Sequence, residues 1–276
     1  MDEAHQKKKH IYNPKIYCPE FSQIKLIVEG TNMRLNEIFT AKRMVFLVIF
    51  GVAALAAMNV NYSALVGAEN QYFTLFQFFG PTAGAFLGGL YGIIAVLFAQ
   101  FANYLISGKE FTLVNMLRLL PMLFAIFYFA LYARKNKVGS IMMIAIPSIA
   151  ILLFVMHPVA GHAWYFALYW LIPILGVVLP KKIPGKLFFR SFGATFTAHA
   201  VGGIVWLYTV PMTAEQWTML IPVVAAERFM FGIGIAVSYV LFNTLLDFIS
   251  EKMRVPSNTL QIEKEYVLTR RFRHTM

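Results

Sequence analysis

Residues 73–106, FTLFQFFGPTAGAFLGGLYGIIAVLFAQFANYLI, contain no Asp, Glu, Lys or Arg. As one helix this run would be about 50 Å long, since each residue adds about 1.5 Å, whereas the hydrocarbon core of a bilayer is about 30 Å thick. The pairs Gly80-Pro81 and Gly88-Gly89 offer places where such a helix would break. The run therefore predicts two short crossings, or a bent hairpin, rather than a single span.

The whole chain has the composition of a membrane protein. Of its 276 residues, 59% are hydrophobic and 13% are charged, and the mean hydropathy is +0.64. A soluble domain could not cover so much apolar surface with so few charges. We therefore expect an all-α fold, a polytopic bundle of transmembrane helices in the cell membrane. The predicted spans are 44–66, 73–89, 90–106, 113–133, 140–157, 163–180, 187–208 and 217–246.

The distribution of positive charge favours eight crossings with both termini in the cytosol. With that topology, all of the 24 Lys and Arg residues except Lys109, Arg118 and Arg228 fall on the cytosolic side. If residues 73–106 crossed only once, the basic loop 134–137 would lie outside, against the positive-inside rule. Topology thus accounts for the formal net charge of +11, and no nucleic-acid partner is expected.

Three regions follow from this pattern. Residues 1–43 form a polar cytosolic arm, in which 21–39 could lie along the membrane surface as an amphipathic segment. Residues 44–246 form the transmembrane domain, and residues 247–276 form a basic cytosolic tail. A lone cysteine, Cys18, can form no intrachain disulfide.

Ionisable side chains fall deep in the last two predicted spans. Counting from the span ends places Glu227 and Arg228 near the bilayer midplane, and His199 at a similar depth on the preceding span. Such residues normally face the interior of the bundle and have a partner there. Neighbouring helical residues point about 100° apart, so Glu227 and Arg228 are not expected simply to pair with each other. Further polar residues in the middle or outer half of the spans are Asn59, Asn61, Gln100, Asn103, Asn115 and Arg118.

This polar set predicts a cavity that opens to the outside, with two interpretations. In the first, the cavity binds a small polar or anionic solute, and Arg118 and Arg228 supply countercharges. The amides of Asn59, Gln100, Asn103 and Asn115, with His199, would then fix the solute by hydrogen bonds. In the second, Glu227 and Arg228 neutralise other buried groups and hold the helices together. Trp206 and Trp217 are expected near the outer membrane boundary.

No motif for catalysis, metal binding or nucleotide binding is evident. The chain has no P-loop, no Gly-x-Ser-x-Gly elbow and no His-Glu-x-x-His sequence. His157 and His162 flank a turn but have no carboxylate near them in sequence. Accordingly, neither a metal, nor a cofactor, nor an enzymatic activity is expected.

The segment FFGPTAGAFLGGLYGIIAVLFAQ, residues 78–100, resembles the substrate-binding (S) components of energy-coupling factor transporters. These proteins often carry a Gly-Pro and glycine-rich segment after the first helix. The pair Ala53 and Ala57 looks like the small-residue motif by which their first helix meets a transmembrane coupling subunit, although packing within the chain is the alternative. The resemblance covers about residues 44–135. Because S components typically have six spans, six to eight are expected here.

The resemblance implies a small membrane protein that captures a vitamin or a metal ion from outside. A separate module of a coupling subunit and two ATPases would then drive uptake. Together with the polar set, this favours a transport component for a small, vitamin-like solute. Two alternatives stay open: a noncatalytic sensory or scaffold domain, and a membrane-embedded enzyme in which Glu227 acts as acid and base beside His199.

Overall fold

The computed structural model describes residues 41–67, 71–134, 136–179, 185–252 and 262–268, with side chains from Met44 onward. The predicted N-terminal arm, its amphipathic segment 21–39 and Cys18 lie outside the described residues. In chain order the elements are α1 (Ala41–Met58), β1 (Asn61–Ala64), β2 (Tyr72–Thr74), two 3-10 turns (Leu75–Phe78 and Gly80–Thr82), α2 (Ala83–Phe86), α3 (Gly89–Ile106), α4 (Leu113–Leu117), α5 (Leu120–Arg134), α6 (Lys137–Val155), α7 (Pro158–Gly161), a 3-10 segment (Trp164–Trp170), α8 (Leu171–Val178), α9 (Lys186–Thr209), α10 (Ala214–Lys252) and a last 3-10 turn (Lys264–Tyr266).

Most of the described chain is helical, and much of the helical surface is apolar. Four helical stretches are long and apolar enough to cross a membrane: Gly89–Ile106, Leu113–Arg134, Lys137–Val155 and Ala214–Lys252. Met44–Met58 and Trp164–Val178 are shorter apolar helices. The prediction of an apolar helical bundle is confirmed at this level.

The helix α9 lies at the centre of the bundle. Every residue from Arg190 to Ala200 is buried, so this part of the helix is covered on all sides. Its small residues permit that close approach. Gly193, for example, faces the ring of Tyr128 on α5 so closely that a Cβ there would collide with it. A helix enclosed by its neighbours needs no apolar surface for lipid. This explains why α9 is not among the four stretches whose composition is apolar enough to cross a membrane.

The segment 73–89 differs from its prediction as a helical crossing. It begins as the second strand of an antiparallel hairpin in which Asn61 pairs with Thr74 and Ala64 with Tyr72. It then continues through 3-10 turns and the one-turn helix α2 to Gly88, whose φ of 84° ends the run. Proline and a positive-φ glycine interrupt helical hydrogen bonding, which is why no continuous helix forms. The all-α prediction is wrong in this segment.

The irregular backbone of this segment is enclosed by protein. All residues from Gly80 to Gly88 are buried, and Gly84 packs directly against the backbone of α5. In an apolar surrounding, exposed non-helical backbone would leave its polar groups unpaired, so such a segment is tolerated only where protein covers it. The small glycines and alanines of this segment permit the neighbouring elements to approach closely enough to cover it.

Residues 262–268 pack across one end of the bundle, termed the tail end below. The backbone N–H of Glu263 donates to Asn243 Oδ1 at 2.9 Å, and the N–H of Leu268 donates to Thr244 Oγ1 at 3.1 Å. Buried Arg190 donates to Glu263 at 3.0 Å and to the carbonyl of Phe129 at 2.8 Å. The helix α10 itself continues past the predicted boundary at residue 246. The opposite end, which carries β1 and β2, is termed the hairpin end.

Candidate functional site

A cavity of about 240 Å³ opens at the hairpin end. Its walls come from the hairpin, α3, α4, α5, α9 and α10, so segments distant in sequence meet there. The residues predicted from the sequence that line it are Gln100, Asn103, Asn115, Arg118, His199, Glu227 and Arg228. Asn59 lies behind this wall and donates its side-chain amide to Asn103 Oδ1 at 3.0 Å. Seven residues of the predicted polar set thus surround one space, whereas Asn59 and Asn61 do not line it.

Glu227 and Arg228 form the deep wall on α10. They are only 8% and 3% exposed, and the carboxylate lies 3.8 Å from the guanidinium. The expectation that the two would not pair is therefore wrong, although this distance is too long for a hydrogen bond. Neither side chain makes a hydrogen bond to another helix within the described ranges. A charged pair that served to tie helices together would be expected to hydrogen-bond to a neighbouring helix.

The guanidinium of Arg228 is held by aromatic rings. Its central carbon lies 4.5 Å from the ring centre of Phe73 and 5.1 Å from that of Phe231. A cation over an aromatic face is stabilised by the ring quadrupole. Among the residues the structure describes, Arg228 Nε is buried without a hydrogen-bond partner. The aromatic rings position the cation and leave hydrogen-bonding capacity unused.

His199 presents a defined face to the cavity. Its Nδ1 accepts a hydrogen bond from Trp170 Nε1 at 3.0 Å. In the neutral imidazole the proton then belongs on Nε2, which makes that atom a donor. Trp170 was not predicted, since nothing in the sequence couples the 3-10 segment after α7 to α9.

Two further cations lie at the mouth of the cavity. Arg118 hydrogen-bonds to the side-chain oxygen of Gln71 and lies 5.7 Å from the ring centre of Trp206. Partial burial, and then the charge of Arg118, lower the pKa of Lys109 from its usual value. The two cations are thus close enough to repel each other. An anion between them would relieve that repulsion.

Asn115 has a local role besides lining the mouth. Its side chain donates to the carbonyl oxygen of Glu110 at 3.0 Å, and its N–H donates to Thr112 Oγ1 at 3.2 Å. The second bond caps the N-terminus of α4. Asn115 therefore fixes the loop that carries Lys109.

The remaining wall is mostly apolar and includes several aromatic rings. Phe76, Phe166, Trp206 and Trp217 all line the cavity, and Trp217 is only 2% exposed. Trp206 and Trp217, which the sequence predicts near the outer membrane boundary, are both buried in the bundle. Within the described part of the chain, Trp217 Nε1 and Gln100 Oε1 are buried without hydrogen-bond partners. Aromatic walls with a few unused polar atoms are typical of small-molecule sites.

The other candidate positions lie elsewhere. Ala57 packs into the core of this chain, whereas Ala53 is partly covered. His157 stacks edge-on against Tyr208. No group of three or more metal-ligating side chains occurs among the described residues.

Comparisons with known proteins add one distant relative. An uncharacterized protein of Methanocaldococcus jannaschii is 22% identical over 216 residues, which cover 73% of this chain and 71% of the relative. No family model matches the sequence, and no solved structure matches it. The name of this relative assigns no activity, and the cavity is therefore the feature that indicates a function.

Proposed function

We propose that this chain is a multi-pass component of the cell membrane that binds a small polar or anionic solute in the cavity for uptake. The observation that carries the proposal is one cavity whose walls bring together charged and hydrogen-bonding side chains from distant segments: Gln100, Asn103, Asn115, Arg118, His199, Glu227 and Arg228. Such convergent polar groups on an otherwise apolar wall can bind and orient a small polar solute.

The charge of the walls supports a solute with negative charge. Of the described residues that line the cavity, Lys109, Arg118 and Arg228 are positive and only Glu227 is negative. Charged walls around a low-dielectric space concentrate ligands of the opposite sign. In the vitamin-like class that the sequence suggests, this favours acidic members.

The proposed topology has eight crossings, with both termini in the cytosol and the hairpin end outside. The irregular segment from Leu75 to Gly88 supplies one crossing, enclosed by helices. Interrupted segments of this kind are typical of transporter binding sites, because freed backbone groups lie beside the solute. Solute would therefore enter from the outer side.

Reporter fusions at residues 109 and 136 test this topology. Alkaline phosphatase fused after Lys109 should be active, and green fluorescent protein fused after Asn136 should fluoresce, since the two positions fall on opposite sides. The exchanged reporters should both be silent. If both sites report the same compartment, the eight-crossing topology is wrong.

Energy for uptake would come from a separate coupling subunit with two ATPases, as the resemblance to S components implies. A surface suited to such a subunit lies on α1. Val48 and Val52 are 60% and 66% exposed, and Gly51 has open space around its Cα. Ala53 borders this face, whereas Ala57 belongs to the internal core.

A solute retained through purification would test the proposal directly. The full chain, extracted in mild detergent, should release a small acidic molecule on denaturation, identified by mass spectrometry. Vesicles that contain the chain with its coupling module should accumulate that molecule only when ATP is supplied. A chain that retains nothing, and that confers no uptake of acidic solutes, would contradict the proposal.

A further inference from the structure

We infer that the solute is a small zwitterion with a second acidic group, that is, an amino dicarboxylate. Its ammonium contacts Glu227, its neighbouring carboxylate contacts Arg228 and His199, and its distal acid lies at the mouth. This inference rests on the proposed function and narrows the class of solute.

Glu227 and Arg228 on the deep wall have complementary hydrogen-bonding groups. Glu227 only accepts hydrogen bonds and Arg228 only donates them, and at 3.8 Å the two leave each other's hydrogen-bonding capacity unused. A simple anion would satisfy Arg228 but would add a second negative charge beside buried Glu227. An adjacent ammonium and carboxylate satisfy both side chains and leave the net charge at this depth unchanged.

Charged partners also fit better than neutral ones. A cyclic amide offers a donor beside an acceptor, but hydrogen bonds between two charged groups are roughly twice as strong as those between neutral groups. The Nε2–H of His199, fixed by the bond from Trp170 to Nδ1, supplies one more donor to the carboxylate. The deep wall thus has one acceptor for an ammonium and two donor residues for a carboxylate.

The two cations at the mouth of the cavity indicate that the solute has a second acidic group. Arg118 lies over Trp206, which is seven residues beyond His199 on α9, so the two levels are about 10 Å apart. Lys109 lines the same mouth, and in the described ranges no carboxylate lines it beside these cations. A volume of about 240 Å³ is roughly eight times the 30 Å³ or so that one water occupies in the liquid, so the space suits a small molecule.

Binding measured by calorimetry on the purified full chain tests the inference with three probes. L-glutamate carries both acids and the ammonium, glutarate lacks the ammonium, and L-glutamine lacks the distal acid. L-glutamate should bind at least about tenfold more tightly than either of the others, because each loses one charge-assisted contact. Equal or tighter binding of glutarate would overturn the inference.

The variant Glu227→Gln should change the affinities for L-glutamate and glutarate in opposite directions. It should weaken L-glutamate by about tenfold and strengthen glutarate, because it removes both the ammonium's partner and the repulsion of a simple anion. Glu215→Gln is the matched control: the same change on the same helix, at an exposed position outside the cavity wall. It should leave both affinities unchanged.

The outcomes separate this inference from the proposed function. If none of the three probes binds, yet the chain retains another acidic molecule, the inference fails and the proposed function stands. If Glu227→Gln weakens glutarate as much as L-glutamate while remaining folded, the ammonium site is wrong. If no probe binds and nothing is retained, both fail.

Discussion

Replacing Arg228 by Met should weaken binding of the retained solute by about 30-fold or more, since removing one partner of a buried charge pair costs about 2–5 kcal/mol. Arg228 is 3% exposed on the cavity wall, and its central carbon lies 4.5 Å and 5.1 Å from the ring centres of Phe73 and Phe231. Its distance of 3.8 Å from the carboxylate of Glu227 is too long for a hydrogen bond, so a bound acid would supply an acceptor to the guanidinium. The measurement is the fraction of protein that carries the copurified molecule, by native mass spectrometry.

Arg228→Lys separates binding from folding. It keeps the positive charge beside Glu227 but loses the planar fork and its fit against Phe73. We expect a folded protein with about tenfold less retained solute. Lys137→Met removes a positive charge at an exposed position at the start of α6, away from the cavity, and should retain as much as the unaltered chain.

These variants also decide between the two interpretations of the pair. If Glu227 and Arg228 serve only to hold the bundle, Arg228→Met should lower the melting temperature and Arg228→Lys should retain solute normally. Normal retention in the Lys variant, with no loss beyond misfolding in the Met variant, would remove Arg228 from the binding site. The absence of hydrogen bonds from this pair to other helices in the described chain favours the binding interpretation.

The gathering of polar residues could be predicted because helix geometry is regular. A constant rise per residue converts sequence position into depth, so His199 and Arg228, counted from opposite ends, were placed at one level. These side chains were expected to face the interior of the bundle because an ionisable group that faces lipid is costly. Helix geometry and the cost of burying charge in lipid were therefore sufficient to predict this part of the site.

What could not be predicted depends on contacts between distant segments. Gly80-Pro81 shows where a helix would break, but the hairpin of β1 and β2 packs through Tyr62 and Phe73 against Phe231 on the distant helix α10. The bond from Trp170 to His199 joins two elements between which the helix α8 lies in the sequence. Such pairings leave no periodic trace in the sequence, so local propensity could not find them.

The second large effect concerns the irregular segment itself. Gly84→Ala should destabilise the fold by about 2–3 kcal/mol, at the upper end for overpacking, because its Cβ would meet the backbone carbonyl oxygen of Ile126. A side chain could rotate away, but this carbonyl belongs to the helical ladder of α5 and cannot. In a chain of this size, each kcal/mol lowers the melting temperature by about 2–4 °C. Thermal denaturation followed by size-exclusion chromatography measures it.

Two matched glycines make the test specific. At Gly89 the nearest atom to an added Cβ is Ala130 Cβ at 3.6 Å, an ordinary contact, and at Gly51 nothing lies within 4 Å. Gly89→Ala should therefore leave the melting temperature nearly unchanged, and Gly51→Ala should raise it slightly, since alanine favours a helix by up to about 1 kcal/mol. Equal melting temperatures for Gly84→Ala and Gly89→Ala would show that the segment does not pack against α5 this closely. Because β2, which carries Phe73, leads directly into this segment, a displaced Gly84 should also loosen the ring under Arg228 and reduce retained solute.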